Sequence, residues 1–354
     1  MKNLDKFLSL LTEDVDGLLL TSRYSRFYGA EFDIAEGVAI VTKNGCRYFT
    51  DSRYIESAQN EIRDFEVLMV DSANPYHDRI NAAIADFDVT KLGYEEDYLV
   101  VAELLYYEES LHAELVPMNR KINGFRAVKE PWELDRMRKA QQITDKAFAD
   151  ILPRIKAGMT EKEVQTELIY CLMKNGADKP SFDPIVVSGP KTSMPHGVAG
   201  DRVIQNGDFI TMDFGALYGS YCADMTRTVA MGFVTDEMRE VYETVLKAQS
   251  AAIAATKAGK QGKEIDEVAR EIIREAGYGE YFGHGYGHSL GMEIHEAPNC
   301  NPAGETVMEV NMICSAEPGI YLPGKFGVRI EDVVIFTEDG CEDITNSPKN
   351  LIIL

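Results

Sequence analysis

Two aspartates inside apolar, strand-forming sequence constrain this chain more than any other feature. They lie in the stretch from Gly207 to Thr228, GDFITMDFGALYGSYCADMTRT. Residues 208–212 and 221–226 read as β-strands, with Tyr218-Gly219 as a tight turn between them. With the turn centred there, Asp213 and Asp224 are equidistant from it and face each other directly, Cβ atoms roughly 5 Å apart. Like charges across a ladder destabilise it, and aspartate is a poor strand former. Two facing aspartates in apolar strands therefore call for a cation.

The construction recurs near the carboxyl end. Glu317 ends the apolar run 312–316, and Glu331 lies inside GVRIEDVV; the two are equidistant from Gly324 in the loop Pro323-Gly324-Lys325. A second hairpin thus presents a second facing carboxylate pair. A single such acid is ordinarily a strand-end residue turned to solvent. Two symmetric pairs are a different matter, because each would have to be a coincidence.

At 354 residues the chain exceeds the usual single-domain ceiling, so two domains are expected, divided near Gly124 into residues 1–124 and 125–354. A net charge of −22 would be repelled by nucleic acid and by anionic membranes, which excludes both as partners. The apolar run at 7–11 is followed at once by Glu13, Asp14 and Asp16, too short and acidic for a signal peptide, and no run reaches transmembrane length. The six cysteines show no C-x-x-C spacing and read as reduced residues of a cytoplasmic protein.

The first domain alternates strands and helices. Strands are expected at 15–20, 38–41, 47–50, 65–70, 91–93 and 114–117, the second and third joined around Asn44-Gly45, with helices near 53–62, 76–86 and 98–111. This is a small α/β domain. In the second, Pro131 suits a first helical turn, Thr160 and Glu163 form a capping box, and two further helices are expected near 236–257 and 263–275. Helices covering a carboxylate-bearing antiparallel sheet make that domain α+β.

Histidines supply the missing ligand type. His284, His288 and His295 fall within twelve residues in GHGYGHSLGMEIHE, and His196 follows Met194-Pro195 on a loop. Alone, the glycine-rich stretch also admits the reading of a flexible turn with exposed histidines. Beside four inward carboxylates it reads as part of a metal centre. An oxygen-rich shell with an imidazole suits Mn²⁺ best, with Co²⁺, Fe²⁺ or Zn²⁺ as alternatives, and four acids suit two divalent ions better than one.

The stretches MDFGALYGSYCADMTRT, GHSLGMEIHE, AEPGIY and GVRIED, in that order, resemble the pita-bread-fold metallopeptidases of the aminopeptidase P and prolidase family. The first domain resembles a creatinase-like amino-terminal domain more loosely. The resemblance implies Asp213, Asp224, His288, Glu317 and Glu331 as metal ligands, with Asp224 and Glu331 bridging both ions. It makes His196, His284 and His295 similar to the family's substrate-facing histidines and Phe182 to part of the wall that receives proline. The chemistry then makes Glu317 the candidate catalytic proton shuttle and His295 or His196 the catalytic contact to the tetrahedral intermediate. Arg329 would orient a ligand carboxylate. Arg53, in Asp51-Ser52-Arg53-Tyr54, resembles a residue that faces a neighbouring subunit's active site, which implies a homodimer. The substrate implied is a proline-containing peptide cut at its amino-terminal Xaa-Pro bond. Some prolidases that resemble this chain carry an arginine after the His-Glu pair to grip a dipeptide's carboxylate. Here Asn299 stands in that place, which favours aminopeptidase P over dipeptidase. A non-catalytic relative would lack the ligand set, and a methionine aminopeptidase would usually lack the amino-terminal domain.

Overall fold

The computed structural model describes residues 3–354. It divides into two compact units, Met1–Phe125 and Arg126–Leu354.

The first unit is built on one six-stranded mixed sheet. Gly17–Leu20 lies near its middle, antiparallel to Val38–Thr42 and parallel to Lys91–Tyr94. Cys46–Thr50 and Glu66–Met69 complete one side, Glu114–Pro117 the other. Helix Tyr76–Asp86 lays Ile80, Ala83 and Ile84, a spacing that makes one helical stripe, against Leu19, Ile40, Phe49 and Leu92. Each such side chain taken fully from water contributes on the order of 1.5–3 kcal/mol. The hairpin turn differs from expectation. Val41 pairs with Cys46, so Lys43-Asn44 occupies the bend and Gly45 pairs back to Thr42.

Three helices of this unit carry no clear period in the sequence: Asn3–Ser9, Arg23–Ala30 and Asn119–Gly124. The second is fixed by polar chemistry. Ser22 Oγ caps Ser25 N, and the fully buried Glu95 carboxylate accepts from Thr21 N, Ser22 N and both serine hydroxyls.

The second unit is α+β, as the sequence predicts. Pro131 opens helix Pro131–Ile151, and Thr160 with Glu163 closes a reciprocal capping box at the start of Glu161–Lys174. These two helices pack Ile143, Phe148, Leu168 and Leu172 against Met212 and Phe214 of strand Phe209–Phe214. The second helix pair, Asp236–Ala255 and Gly262–Glu275, packs Val241, Val245, Ile265 and Ile273 against Ile320, Val328 and Phe336. Each carboxylate-bearing hairpin therefore has its own pair of covering helices.

The first hairpin bends one residue later than expected. Phe214 pairs with Met225 and Tyr218 with Tyr221, so Gly219-Ser220 forms the turn, both at positive φ as a type I′ bend requires. Asp213 consequently faces Thr226, and the same register sets Asp224 opposite Gly215. The two aspartates are diagonal neighbours on one face instead of a direct pair. In the second hairpin, Ala316 pairs with Asp332 and Gly319 with Arg329, a register that sets Glu317 opposite Glu331 as expected. Glu331 N donates to Thr226 O, and Thr228 Oγ1 to Arg329 O, which lays the two hairpins side by side.

Candidate metal centre

All four acids meet at one cavity, of about 360 Å³. Its walls include Phe182, His196, Asp213, Asp224, His284, His288, His295, Glu317, Arg329 and Glu331, the second-unit ligand, catalytic and substrate candidates of the sequence reading. Ile185, Ile294, Asn299 and Asn301 add to them. Arg53 belongs to the first unit and is not among these residues; there its guanidinium is exposed and paired with Asp51 at 2.6 Å.

Strand Gly287–Ser289 brings in His288, because His288 N donates to Ser315 Oγ on the strand that leads into Glu317. The ring is oriented from behind. Nδ1 lies 3.1 Å from Ser289 O, a carbonyl that can only accept, so the proton sits on Nδ1. Nε2 then points its lone pair inward, 3.3 Å from Glu317 Oε1 and 3.6 Å from Asp224 Oδ2. Burial lowers the pKa of this imidazole and keeps it neutral, the form that ligates metal.

The carboxylates divide their oxygens between protein and cavity. Asp213 Oδ2 accepts from Arg329 Nη2 at 2.7 Å while Oδ1 is buried without a partner. Glu331 Oε2 accepts from Thr226 Oγ1 at 2.7 Å while Oε1 is likewise unpartnered. Asp224 Oδ1 is the third such atom, and Glu317 Oε1 accepts from Ser315 Oγ at 3.0 Å. Burial, then the neighbouring acids Asp213 and Glu317, push the Asp224 pKa well above the carboxylate range. For Glu331, burial acts first and Asp224 next, in the same direction. Burial also raises Glu317. Crowded acids with inward, unpaired oxygens fit a divalent cation, and one oxygen of Asp224, one of Glu331 and a nitrogen of His288 all lie within 4.8 Å of one another.

Arg329 is buried and fully engaged. Besides Asp213 it donates to Thr226 Oγ1 at 3.0 Å and to the Tyr321 hydroxyl at 2.9 Å. Tyr321 in turn lies 2.8 Å from His284 Nε2, and His284 Nδ1 lies 2.8 Å from the Gly285 carbonyl. The carbonyl fixes the proton on Nδ1, so Nε2 accepts from Tyr321. Both ring nitrogens of His284 are occupied within the chain, which makes its ring a wall of the cavity. His196 and His295 are exposed at its rim, and Phe182 is half-buried.

Thr226 holds Glu331, Ser315 holds Glu317 and the His288 backbone, and Tyr321 holds His284; the sequence reading does not single out these three. Thr226 becomes visible once the bend is placed at Gly219-Ser220, a dipeptide that is itself a hairpin signal. Tyr321 carries no local signal, because its partners come from two other segments.

Comparison with known proteins bears on this geometry. The profile of metallopeptidase family M24 matches residues 135–338, and that of the creatinase/prolidase N-terminal domain matches residues 4–128. An Xaa-Pro dipeptidase from Bacillus anthracis superposes with a TM-score of 0.96 at 42% identity, covering 100% of this chain and 99% of the other. An X-Pro aminopeptidase from Thermotoga maritima MSB8 gives a TM-score of 0.93 at 37% identity, covering 100% of each chain. An Xaa-Pro dipeptidase from Pyrococcus furiosus is 43% identical over 247 residues, 70% of this chain and 71% of the relative. The neighbours share the two-part architecture, a creatinase-like first domain and a pita-bread catalytic domain.

Proposed function

The chain belongs to metallopeptidase family M24, and from that membership and its carboxylate centre we propose that it is a metal-dependent exopeptidase cleaving the Xaa-Pro bond at the amino terminus of peptides. The observation that carries the proposal is the set of three buried, unpartnered carboxylate oxygens around a correctly oriented imidazole. Asp213, Asp224, His288, Glu317 and Glu331 would hold two divalent ions, with Asp224 and Glu331 shared between them. Manganese suits this oxygen-rich set best. When bound, such ions supply a nucleophile from water near neutral pH and polarise the scissile carbonyl.

The chain's own residues do the remainder. Glu317, its Oε1 held by Ser315, takes the proton of the attacking water and passes it toward the leaving nitrogen. His196 and His295 stand at the rim, where an imidazole N–H can meet the charge that develops on the tetrahedral intermediate. Phe182, Ile185 and the ring of His284 form the apolar wall for proline, whose amide has no hydrogen to donate. The surplus of acidic groups attracts a free amino terminus. Arg53 of one copy would complete the site of another in a homodimer. The six free cysteines support a cytoplasmic place; among the described residues no helix is long and apolar enough to cross a membrane.

Peptides longer than two residues are the substrates this reading favours. Among the described residues lining the cavity, the one arginine is Arg329, and its guanidinium is committed to Asp213, Tyr321 and Thr226. Asn299 can donate hydrogen bonds there but carries no charge to clamp a dipeptide's carboxylate. A dipeptidase reading is favoured by the several relatives named Xaa-Pro dipeptidase or prolidase. Comparing kcat/KM for an Xaa-Pro dipeptide and an Xaa-Pro-Xaa tripeptide separates them. A higher value for the tripeptide is expected, and a clear preference for the dipeptide would replace the first reading with the second.

A further inference from the structure

His295 lines the same cavity as the carboxylates, beside His288, without a tether of its own. Its ring centroid lies 4.4 Å from that of His288, the planes at 68°, and among the described residues its imidazole makes no hydrogen bond within the chain. Its position is therefore set by the backbone that carries it. That backbone is a loop, residues 290–295, closed at its base where Ser289 pairs with Glu296.

The loop is wrapped around a carboxylate. Glu296, the residue after His295, turns its side chain back under the loop, where it is only 5% exposed. Oε1 accepts from the loop's Glu293 N at 3.2 Å, and a Cβ on Gly291 would meet Oε2 at 2.7 Å. Gly291 N donates to Glu293 O, and Cys222 N to Gly291 O, so the loop is pinned to the strand region that carries Asp224. From the other side the carboxylate is gripped by two buried cations. Arg126 Nη2 donates to Oε1 at 2.5 Å and also to Glu293 Oε2 at 2.6 Å, while Lys129 Nζ donates to Oε2 at 2.9 Å. Lys129 is itself tied to Arg126 O at 2.6 Å, and its side chain is 1% exposed. Burial acts to raise the Glu296 pKa, but the Lys129 and Arg126 charges outweigh it and hold the group down at about 2.

We propose that Glu296 is a positioning residue: its carboxylate, clamped by Arg126 and Lys129, is the form around which the loop 290–295 folds, and it thereby fixes where His295 stands at the metal centre. The inference rests on the proposed peptidase reading, in which His295 contacts the transition state. A purely structural ion cluster would cost stability when broken. A positioning group acts in addition through one specific side chain, and a displacement of that side chain on the order of 1 Å costs about 10²-fold in rate.

The test is a double-mutant cycle on an Xaa-Pro-Xaa peptide. Glu296→Gln keeps the shape and an acceptor for Glu293 N but removes the charge. It should lower kcat about ten-fold or more with KM changed by less than about two-fold and metal content intact, because a transition-state contact is what is lost. Combined with His295→Ala, it should add no further loss, since the residue it positions is gone. A double mutant whose losses multiply, or a Glu296→Gln enzyme with unchanged kcat, would overturn the proposal. Gly291→Ala, whose methyl meets the carboxylate at 2.7 Å, displaces the same loop without removing a charge, and should show the same dependence on His295 if Glu296→Gln fails to fold. A readout independent of turnover keeps the two readings apart. The imidazole ¹H–¹⁵N signal of His295, assigned by its loss in His295→Ala, should shift in metal-free Glu296→Gln and stay in place in the exposed control Glu275→Gln. Wild-type protein inactive on all Xaa-Pro peptides would refute the peptidase reading, while an unmoved His295 signal would refute the positioning role.

Discussion

Gly215→Ala should empty the metal centre without touching a ligand. Gly215 lies opposite Asp224 in the register of the first hairpin, and two residues from Asp213. A Cβ there would drive into the Ala223 carbonyl oxygen and stand 2.5 Å from both the Ala223 carbonyl carbon and Ser181 Oγ, where ordinary contact begins at 3.4 Å. The backbone that presents Asp224 must then retreat by at least about 0.9 Å, more where the carbonyl oxygen stands in the way, which is several times the roughly 0.2 Å within which metal–ligand distances are held. Overpacking of this kind costs roughly 1–3 kcal/mol, and at about 2–4 °C per kcal/mol for a domain of this size the melting point should fall roughly 2–12 °C. The assays are bound metal after dialysis and thermal unfolding with and without added Mn²⁺. Gly124→Ala, with nothing within 4 Å of its Cβ, is the control and should change neither. A Gly215→Ala protein that keeps its metal and its kcat would refute the register argument, because it would mean that the Asp224 strand has room to spare.

Asp224→Ala should abolish hydrolysis and lower bound metal together, since it removes the carboxylate proposed to be shared between the ions; full activity in metal-depleted protein would contradict this. His295→Ala should reduce kcat by about 10² or more with metal content nearly intact, as for a transition-state contact, whereas parallel loss of metal would make it a ligand. Arg53→Ala should weaken activity despite its place in the first unit, and sedimentation should give a dimer; a monomer at micromolar concentration counts against the shared site. The Glu296 carboxylate is held at about 2 against an ordinary 4.5, so its contribution to stability is fully present above about 4.5 and is lost as pH falls through about 2. That contribution is on the order of 3 kcal/mol. The stability gap between wild type and Glu296→Gln should therefore shrink on acidification, and a gap that stays constant from pH 6 to pH 2 would exclude the ion cluster as its source.

Much of the catalytic unit is legible in the sequence because its signals are local. Pro131, the Thr160–Glu163 box and the glycine at 324 each act within a few residues, and each is where expected. The misplaced bend shows how far local reading goes. Moving the turn by one residue changes the pairing sum by two, so Asp213 exchanges Asp224 for Thr226 as its direct partner but all three keep the same face. The convergence of the acids survives the error, while the hydroxyl that holds Glu331 goes unseen. The short helix Arg23–Ala30 was illegible for another reason: its capping depends on Glu95, some seventy residues away. The chain from His284 through Tyr321 and Arg329 to Asp213 likewise joins three segments with no common motif.

The way each acid is used explains why the site tolerates so much buried negative charge. Arg329, Thr226 and Ser315 each tie one oxygen of Asp213, Glu331 and Glu317, which fixes the rotamers. The oxygens left over, Asp213 Oδ1, Asp224 Oδ1 and Glu331 Oε1, are buried without a partner. At roughly 1–3 kcal/mol for each unsatisfied buried acceptor, more when charged, three of them cost roughly 3–9 kcal/mol. A folded domain has only about 5–15 kcal/mol of net stability to set against such a cost. Removing the acids would relieve it, and so would filling the space between them with positive charge. Among the described residues lining the cavity the one guanidinium is that of Arg329, and it is spent on the outer face of Asp213, where it orients the carboxylate and leaves the inner oxygen bare. An arrangement that withholds its own cation from the centre is built to take one from solution.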